Sequence, residues 1–113
     1  MLAKKNRLKR KKDFKLILKE GKRFKEDFLI LKLVKNNLEK SRFSFIISQK
    51  VSKKATTRNK IKRRLSEIVR LKLKKIKKGI DVILIACPGL EEKDFWEIEE
   101  SLDKLFLRAN LYV

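Results

Sequence analysis

The most organised set of reactive side chains in this 113-residue sequence is a row of basic and amide groups between residues 58 and 70. The row consists of Arg58, Asn59, Lys62, Arg63 and Arg70. A guanidinium presents a planar fork that matches a phosphate, and an amide can both donate to and accept from a base edge or a ribose hydroxyl. Binding through several phosphates of a single strand would depend steeply on salt, with a log–log slope of about −0.7 per contact. The row therefore predicts a surface that binds a polyanion.

An amphipathic helix is needed to hold this row on one side. Its apolar stripe, within about 100° on a helical wheel, is Ile61, Leu65, Ile68, Val69 and Ile76. Ser66 is expected on the polar side with the row. We predict an N-cap at Thr56 or Thr57, a helix that runs to about Lys78, and Gly79 as the residue that ends it.

Groups for independent catalysis are scarce in the sequence. There is no histidine and a single cysteine, Cys87, so neither an intramolecular disulfide nor a zinc site is predicted. The six carboxylates of residues 1–79 are scattered, whereas a two-metal nuclease site needs several that converge. No phosphate-binding glycine loop or nucleophile elbow occurs. We therefore expect no catalytic residue and no metal ligand in the protein itself.

The charge of the chain favours nucleic acid as the partner. Lysine and arginine number 33 against 14 acidic residues, which gives a net charge of +19. Residues 1–79 hold 30 basic and 6 acidic residues, whereas residues 80–113 hold 3 and 8. A merely solvated basic surface is one alternative, but such surfaces normally intersperse glutamate, and only Glu67 does so along the row. An anionic membrane surface is another.

Nothing in the sequence predicts insertion in a membrane or export. No run of 18 or more apolar residues occurs, so no membrane span is predicted. The basic N-terminus lacks a following apolar region, so no secretory signal is predicted either. We expect a cytoplasmic protein.

The predicted elements before the basic helix are an arm, a helix and two strands. Residues 1–12 carry seven basic residues and are predicted to form a mobile arm that orders on a polyanion. A helix is predicted from Asp13 to Gly21, with Phe14 on an apolar stripe that packs in the core. Strands are predicted over residues 27–35 and 42–48, paired as an antiparallel hairpin. A further strand near Phe24 is left open.

The predicted elements after the basic helix are a strand and an acidic helix. Residues 80–86 form an apolar run that predicts a strand buried on both faces. Asp94 and Glu97 have the spacing of a capping box that opens the last helix. The order α-β-β(-β)-α-β-α predicts one α+β domain over residues 1–113, built as a two-layer α/β sandwich.

The segment Thr57-Arg58-Asn59-Lys60-Ile61-Lys62-Arg63-Arg64 resembles the R-N-x-x-K-R signature of the bacterial ribonuclease P protein family. Further matches extend over nearly the whole chain. They are Asn6-Arg7-Leu8-Lys9, Asp13-Phe14, Gly21, Ser48-Gln49-Lys50, Glu67, Arg70 and Leu105-Phe106. The combination is specific, whereas the R-N-x-x-K-R signature alone is weak.

The resemblance implies a fold and a function. The fold is a ribosomal-protein-like sandwich with a left-handed β-α-β crossover, against the usual right-handed rule. The function is to assist a catalytic RNA subunit that cuts the 5′ leader from precursor tRNA, with Mg²⁺ bound mainly by that RNA and one protein per RNA. A general nucleic-acid-binding or ribosomal-type protein without processing activity is the alternative.

The resemblance also implies two RNA-binding surfaces. Expected contacts to the RNA subunit are Lys50, Lys53, Lys54, Arg58, Asn59, Lys62, Arg63 and Arg70. Expected contacts to the leader are Phe14, Leu18, Phe28, Ile30 and Lys32. For Phe14, stacking on a leader base replaces the core position that its apolar stripe alone suggests.

Overall fold

The computed structural model describes residues 2–113 and joins four strands in one mixed sheet of spatial order β1-β2-β4-β3. The strands are β1 (Lys22–Glu26), β2 (Leu29–Lys35), β3 (Arg42–Ile47) and β4 (Ile80–Ala86), and the helices are α1 (Lys11–Glu20), α2 (Ala55–Lys72) and α3 (Phe95–Arg108). The predicted α+β class is confirmed, and the region around Phe24 is a strand. Residue 1 of the predicted arm lies outside the described residues.

The prediction that the second and third strands form a hairpin is wrong. β2 pairs antiparallel with β1 and β4, whereas β3 pairs with β4 in parallel and not with β2. β4 is buried on both faces, as predicted, with Val82, Ile83 and Leu84 fully inaccessible. Because such a strand needs hydrogen-bonded neighbours on both edges and cover on both faces, it takes a central position and separates β2 from β3.

The two faces of the sheet support separate apolar cores. Leu29, Leu31 and Leu84 belong to the main core, which α2 and α3 cover. Ile83, between Val82 and Leu84 of that core, joins Ile17 of α1 in a smaller cluster on the opposite face. α2 connects the parallel neighbours β3 and β4, so the expected β-α-β crossover is present. Its left-handedness stays a prediction.

The end of α1 lies close against the sheet. It begins at Lys11, two residues before the predicted Asp13. Gly21 follows it with φ −67°, which is an ordinary backbone angle. Glycine is needed there for space, since a Cβ atom would lie 2.4 Å from the Ile17 carbonyl oxygen and 3.2 Å from that of Leu33.

The predicted ends of α2 need correction. The N-cap is Lys54, without a side-chain cap, and Thr56 and Thr57 lie within the first turn. α2 ends at Lys72 and is followed by a short 3₁₀ helix, Leu73–Lys75, so Ile76 is buried outside the helix. Gly79 lies beyond, with φ +83°, in the turn that leads into β4.

α3 begins as predicted. The Glu97 backbone N–H donates to Asp94 Oδ1 at 2.9 Å, and the Asp94 N–H donates to Glu97 Oε1 at 3.3 Å.

No helix in residues 2–113 is long and apolar enough to cross a membrane.

Candidate nucleic-acid interface

The N-terminal segment, residues 2–10, is packed on the protein, which differs from the predicted mobile arm. Leu2 and Leu8 are 2% and 4% exposed. The Leu2 N–H donates to Ser66 Oγ at 3.3 Å, and the Leu8 N–H donates to the Phe43 carbonyl at 2.8 Å. Leu2 belongs to the main core and Leu8 to the smaller cluster with Ile17, and the burial of both leucines holds the segment in place.

The segment, β3 and α2 enclose a concavity of about 640 Å³, which we call the first groove. Apolar residues of its lining are Leu2, Leu8, Phe43 and Phe45, and polar residues are Arg7, Lys9, Ser44, Thr56, Asn59, Lys62, Arg63 and Ser66. Arg7 and Lys9 were missed as groove residues. Their signal was the spacing of Leu2 and Leu8, which anchors the basic residues between and beside them.

Three of the four R-N-x-x-K-R side chains meet in this groove. Asn59, Lys62 and Arg63 are exposed and form no hydrogen bond or ion pair with residues 2–113. Their donors are therefore available to an external ligand. An apolar floor with unpaired cations and an amide on its rim can contact both the phosphates and the bases of an RNA strand.

Arg58 also holds the neighbouring loop. Its Nη1 donates to the carbonyls of Ser52 and Lys53 at 2.9 and 3.0 Å. This fixes the loop that carries Lys50 and Lys54, both exposed. The remaining guanidinium N–H groups of Arg58 can still serve a ligand, since the group has five donors.

The structure separates Arg70 from the other expected contacts. Arg70 lies eleven residues after Asn59, about 16 Å along the axis of α2. Its guanidinium pairs with Glu67, with Nη2 2.5 Å from Oε1, and this hydrogen bond lowers the pKa of Glu67. Ser66, expected on the exposed side, is 7% exposed because the N-terminal segment crosses the helix there.

Four of the five expected leader contacts lie at the α1 face of the sheet. Phe14 is half-buried against the cluster of Leu8, Ile17 and Ile83, while Leu18 is 41% exposed. Ile30 and Lys32 alternate with the core residues of β2 and so point to this face. Lys32 Nζ donates to the Leu18 carbonyl at 2.9 Å, which ties the end of α1 to β2. The face combines an aromatic edge, apolar surface and an ammonium group.

Phe28 is not part of that face. It lies in the turn between β1 and β2 and packs against the main core. Its ring faces Gly89, where an added Cβ would come within 2.6 Å, and Lys93 Nζ lies 5.3 Å from its centroid. The prediction placed Phe28 within the strand, where it would share the face of Ile30 and Lys32, but β2 begins at Leu29 and a turn residue need not follow the alternation of the strand.

A buried ionic cluster in the sheet, which was not predicted from the sequence, contacts α1. Asp81 is 3% exposed and accepts from Arg42 Nε at 2.8 Å and Nη2 at 2.6 Å, and from Asn36 Nδ2 at 2.8 Å. The hydrogen bond to Asp81 raises the pKa of Arg42. Arg42 Nη2 also lies 3.5 Å from Asp13 Oδ2 in α1. The signal was the lone carboxylate in an apolar strand, since a buried charge needs a partner.

No group of three or more histidine, cysteine or carboxylate side chains within residues 2–113 could hold a metal ion. Cys87 is a half-exposed free thiol at the end of β4. The described side chains thus offer cations, amides and aromatic surface, which are groups that bind RNA.

The family model named Ribonuclease P matches residues 2–110. The ribonuclease P protein component of Alkaliphilus metalliredigens is 36% identical over 106 residues, with 94% of this chain and 95% of the relative covered. The chain belongs to the ribonuclease P protein family. Solved structures agree with this membership. The Thermotoga maritima RNase P protein has a TM-score of 0.82 and 38% sequence identity, and the match covers 90% of this chain and 96% of that one. The Staphylococcus aureus RNase P protein has a TM-score of 0.87 and 26% sequence identity, and the match covers 96% of this chain and 98% of that one.

Family membership gives the first groove a context. Members are protein components of a ribonucleoprotein involved in tRNA processing, so the partner implied for this chain is ribonuclease P RNA. Three of the four signature residues, Asn59, Lys62 and Arg63, lie in the first groove with side chains that have no partner among residues 2–113.

Proposed function

We propose that this chain is the RNA-binding protein subunit of ribonuclease P, which assists the RNA subunit in removing the 5′ leader from precursor tRNA. The observation that carries the proposal is the first groove, where Asn59, Lys62 and Arg63 surround an apolar floor and have no side-chain partner in the described part of the chain, residues 2–113. In this proposal the groove and the loop of Lys50 and Lys54 dock the RNA subunit, one protein to one RNA, in the cytoplasm.

The α1 face is proposed to bind the single-stranded leader. Phe14 offers a ring on which an unpaired base can stack, which is the usual way a protein binds single-stranded RNA. Leu18 and Ile30 extend the apolar surface, and Lys32 supplies a charge beside it. The two faces of one sheet would then hold the catalytic RNA and its substrate at a fixed separation.

Catalysis is proposed to reside in the RNA subunit. The phosphodiester hydrolysis would use Mg²⁺ bound mainly by the RNA, and the protein would neutralise phosphate charge and position the substrate. In support, the first groove offers cations and the α1 face offers an aromatic ring, which are groups that neutralise phosphate and position a strand.

Two measurements with purified components test this proposal. The protein should bind the cognate RNA subunit with a steeply salt-dependent affinity, and the protein alone should leave precursor tRNA intact. Site-specific cleavage by the protein alone would transfer the chemistry to the protein. Equal affinity for the RNA subunit and for unrelated structured RNA would favour a general RNA-binding or ribosomal-type protein.

A further inference from the structure

A second basic concavity lies at the opposite end of α2 from the start of the helix. It encloses about 340 Å³ beside the C-terminal end of α2 and the start of the N-terminal segment. Its lining consists of Lys5, Asn6, Glu39, Lys40, Ser41, Arg70, Leu73, Lys74, Ile76, Lys77 and Lys78. We call it the second groove.

The charge of the second groove is largely unbalanced within the protein. Six of its eleven lining residues are basic and one, Glu39, is acidic. Arg70 is paired with Glu67, but the ammonium groups of the other five form no ion pair or hydrogen bond with residues 2–113. Like charges collected around one concavity repel one another, and a polyanion bound there would relieve this repulsion.

The backbone beneath these lysines is fixed, so the groove is a built surface. Ser41 Oγ donates to the Lys77 carbonyl at 2.6 Å, and Asn6 Nδ2 donates to the Ser41 carbonyl at 2.8 Å. The Lys77 N–H donates to the Leu111 carbonyl at 2.7 Å. Ile76 is buried beneath the groove. Four separate segments of the chain thus hold the cations in position.

The two grooves belong to one stripe of α2. Asn59, Arg63, Ser66 and Arg70 succeed one another at helical spacing, and Lys74 follows in the 3₁₀ helix. The N-terminal segment crosses this stripe at Ser66 and separates the first groove from the second. It carries Lys5 and Arg7, one lining each groove.

We infer that the second groove is a separate binding site for the RNA subunit's sugar–phosphate backbone, with Lys5, Lys40, Lys74 and Lys78 as phosphate contacts. The inference rests on the proposed function. The RNA subunit is chosen over the leader because the groove continues the stripe of the first groove, whereas the α1 face lies across the sheet. Ammonium groups act here as point charges and select no base sequence.

A matched pair of double variants tests this inference. Lys74→Gln with Lys78→Gln removes two charges from the groove, and Lys93→Gln with Lys104→Gln removes two near the acidic α3, where both lysines are paired with glutamates. RNA-subunit affinity is measured from 0.1 to 1 M salt. The groove variant should flatten the log–log slope by about 0.7–0.9 for each phosphate that is no longer neutralised. If the affinities of the variant and the unaltered chain converge at 1 M salt, the affinity for the RNA subunit should be weaker by roughly 10–30-fold near 0.15 M. The control should stay within about twofold.

A charge-preserving variant separates electrostatics from shape at the second groove. Lys74→Arg with Lys78→Arg should keep the slope of the unaltered chain, because charge alone is required. Equal affinity and slope for the two Gln variants, at equal thermal stability, would overturn the inference and leave the proposed function standing. If only precursor-tRNA binding by the assembled complex falls, the groove takes substrate and its assignment to the RNA subunit is wrong. Failure of the unaltered chain to bind the RNA subunit would remove the proposed function itself.

Discussion

The two arginines of the R-N-x-x-K-R signature differ in how many of their hydrogen-bond donors the protein itself uses. Arg63 is exposed and unpaired within residues 2–113, whereas Arg58 uses part of its guanidinium to bind the carbonyls of Ser52 and Lys53. Both belong to the signature, so sequence alone would assign them equal roles. Their environments separate ligand binding from support of the loop.

Arg63→Ala is expected to weaken binding to the RNA subunit without unfolding the protein. It should flatten the salt dependence by about 0.7–0.9 and change the free energy of unfolding by less than about 0.5 kcal/mol. Arg58→Ala should weaken binding and also cost about 1–2 kcal/mol of stability, because it removes two hydrogen bonds to the loop. Titration of the RNA subunit and urea denaturation measure the two quantities. An unchanged affinity for Arg63→Ala would remove the first groove from the interface.

Phe14→Ala is expected to weaken binding of leader-bearing precursor tRNA by the assembled complex, by about 1–3 kcal/mol if one base stacks on the ring. Mature tRNA, which has no leader, should bind as before. Phe28→Ala is the matched control, since Phe28 packs against the main core away from the α1 face. Equal weakening for the two tRNAs would return Phe14 to a purely structural position.

Among the elements, features that depend on local sequence were predicted correctly, whereas strand pairing was not. The apolar run of β4, the stripe of α2 from Ile61 to Val69 and the capping box at Asp94 are local patterns, and all three are confirmed, whereas Ile76 lies beyond the helix. Strand pairing is a non-local property, and β4 displaced the expected hairpin although β2 and β3 are consecutive in the chain. The packing of the N-terminal segment was not predicted, because its basic composition indicated a mobile arm and the burial of Leu2 and Leu8 was not foreseen.

The side of the first groove that α2 supplies was predictable, whereas its N-terminal side was not, and the α1 face was predictable only in part. Asn59, Lys62 and Arg63 share a helix, so one periodicity placed them together. The α1 face depends on where β2 begins, because Phe28 precedes Leu29 in a turn and does not follow the alternation that places Ile30 and Lys32.

Gly21→Ala tests how tightly α1 is joined to the sheet. The added Cβ meets backbone oxygens of Ile17 and Leu33, which cannot rotate away, so the variant should lose about 1–3 kcal/mol of stability. Glu20→Ala, at the exposed neighbouring position, is the control and should be nearly neutral. Urea denaturation compares the two, and equal stability would show that the corner can relax.

Asp103 links α2, α3 and the C-terminal residues, and its effect should depend on pH. It pairs with Lys72 Nζ at 2.8 Å and accepts from the Tyr112 hydroxyl. Burial opposes ionisation, but these hydrogen bonds hold the pKa of Asp103 below its usual 3.8. The stabilisation is therefore complete above about pH 4 and is lost as pH falls through the folded-state pKa.

Asp103→Asn should lower stability by about 1 kcal/mol at pH 7, with a difference from the unaltered protein that shrinks below about pH 3.8. Thermal unfolding across pH 2.5–7 measures this difference. A constant difference over that range would mean that the packing of Asp103, rather than its charge, carries the effect.

Across residues 2–113, the basic side chains near α3 and β1 are paired with acidic groups, whereas most of those along α2 are not. The acidic groups of α3 and β1 pair with Lys72, Lys93, Lys104 and Arg108. The cations along the α2 stripe stay unpaired within residues 2–113, Arg70 excepted. Neutralisation of RNA phosphates by this stripe would replace part of the charge screening that Mg²⁺ otherwise provides to a folded RNA catalyst.

The most direct test of the proposed function is the single-turnover rate of leader removal from precursor tRNA at low Mg²⁺, with the cognate RNA subunit alone and with the protein added. We predict a large increase in rate on adding the protein, an increase that diminishes as Mg²⁺ or salt is raised. A rate that the protein leaves unchanged at low Mg²⁺ would contradict the proposed function.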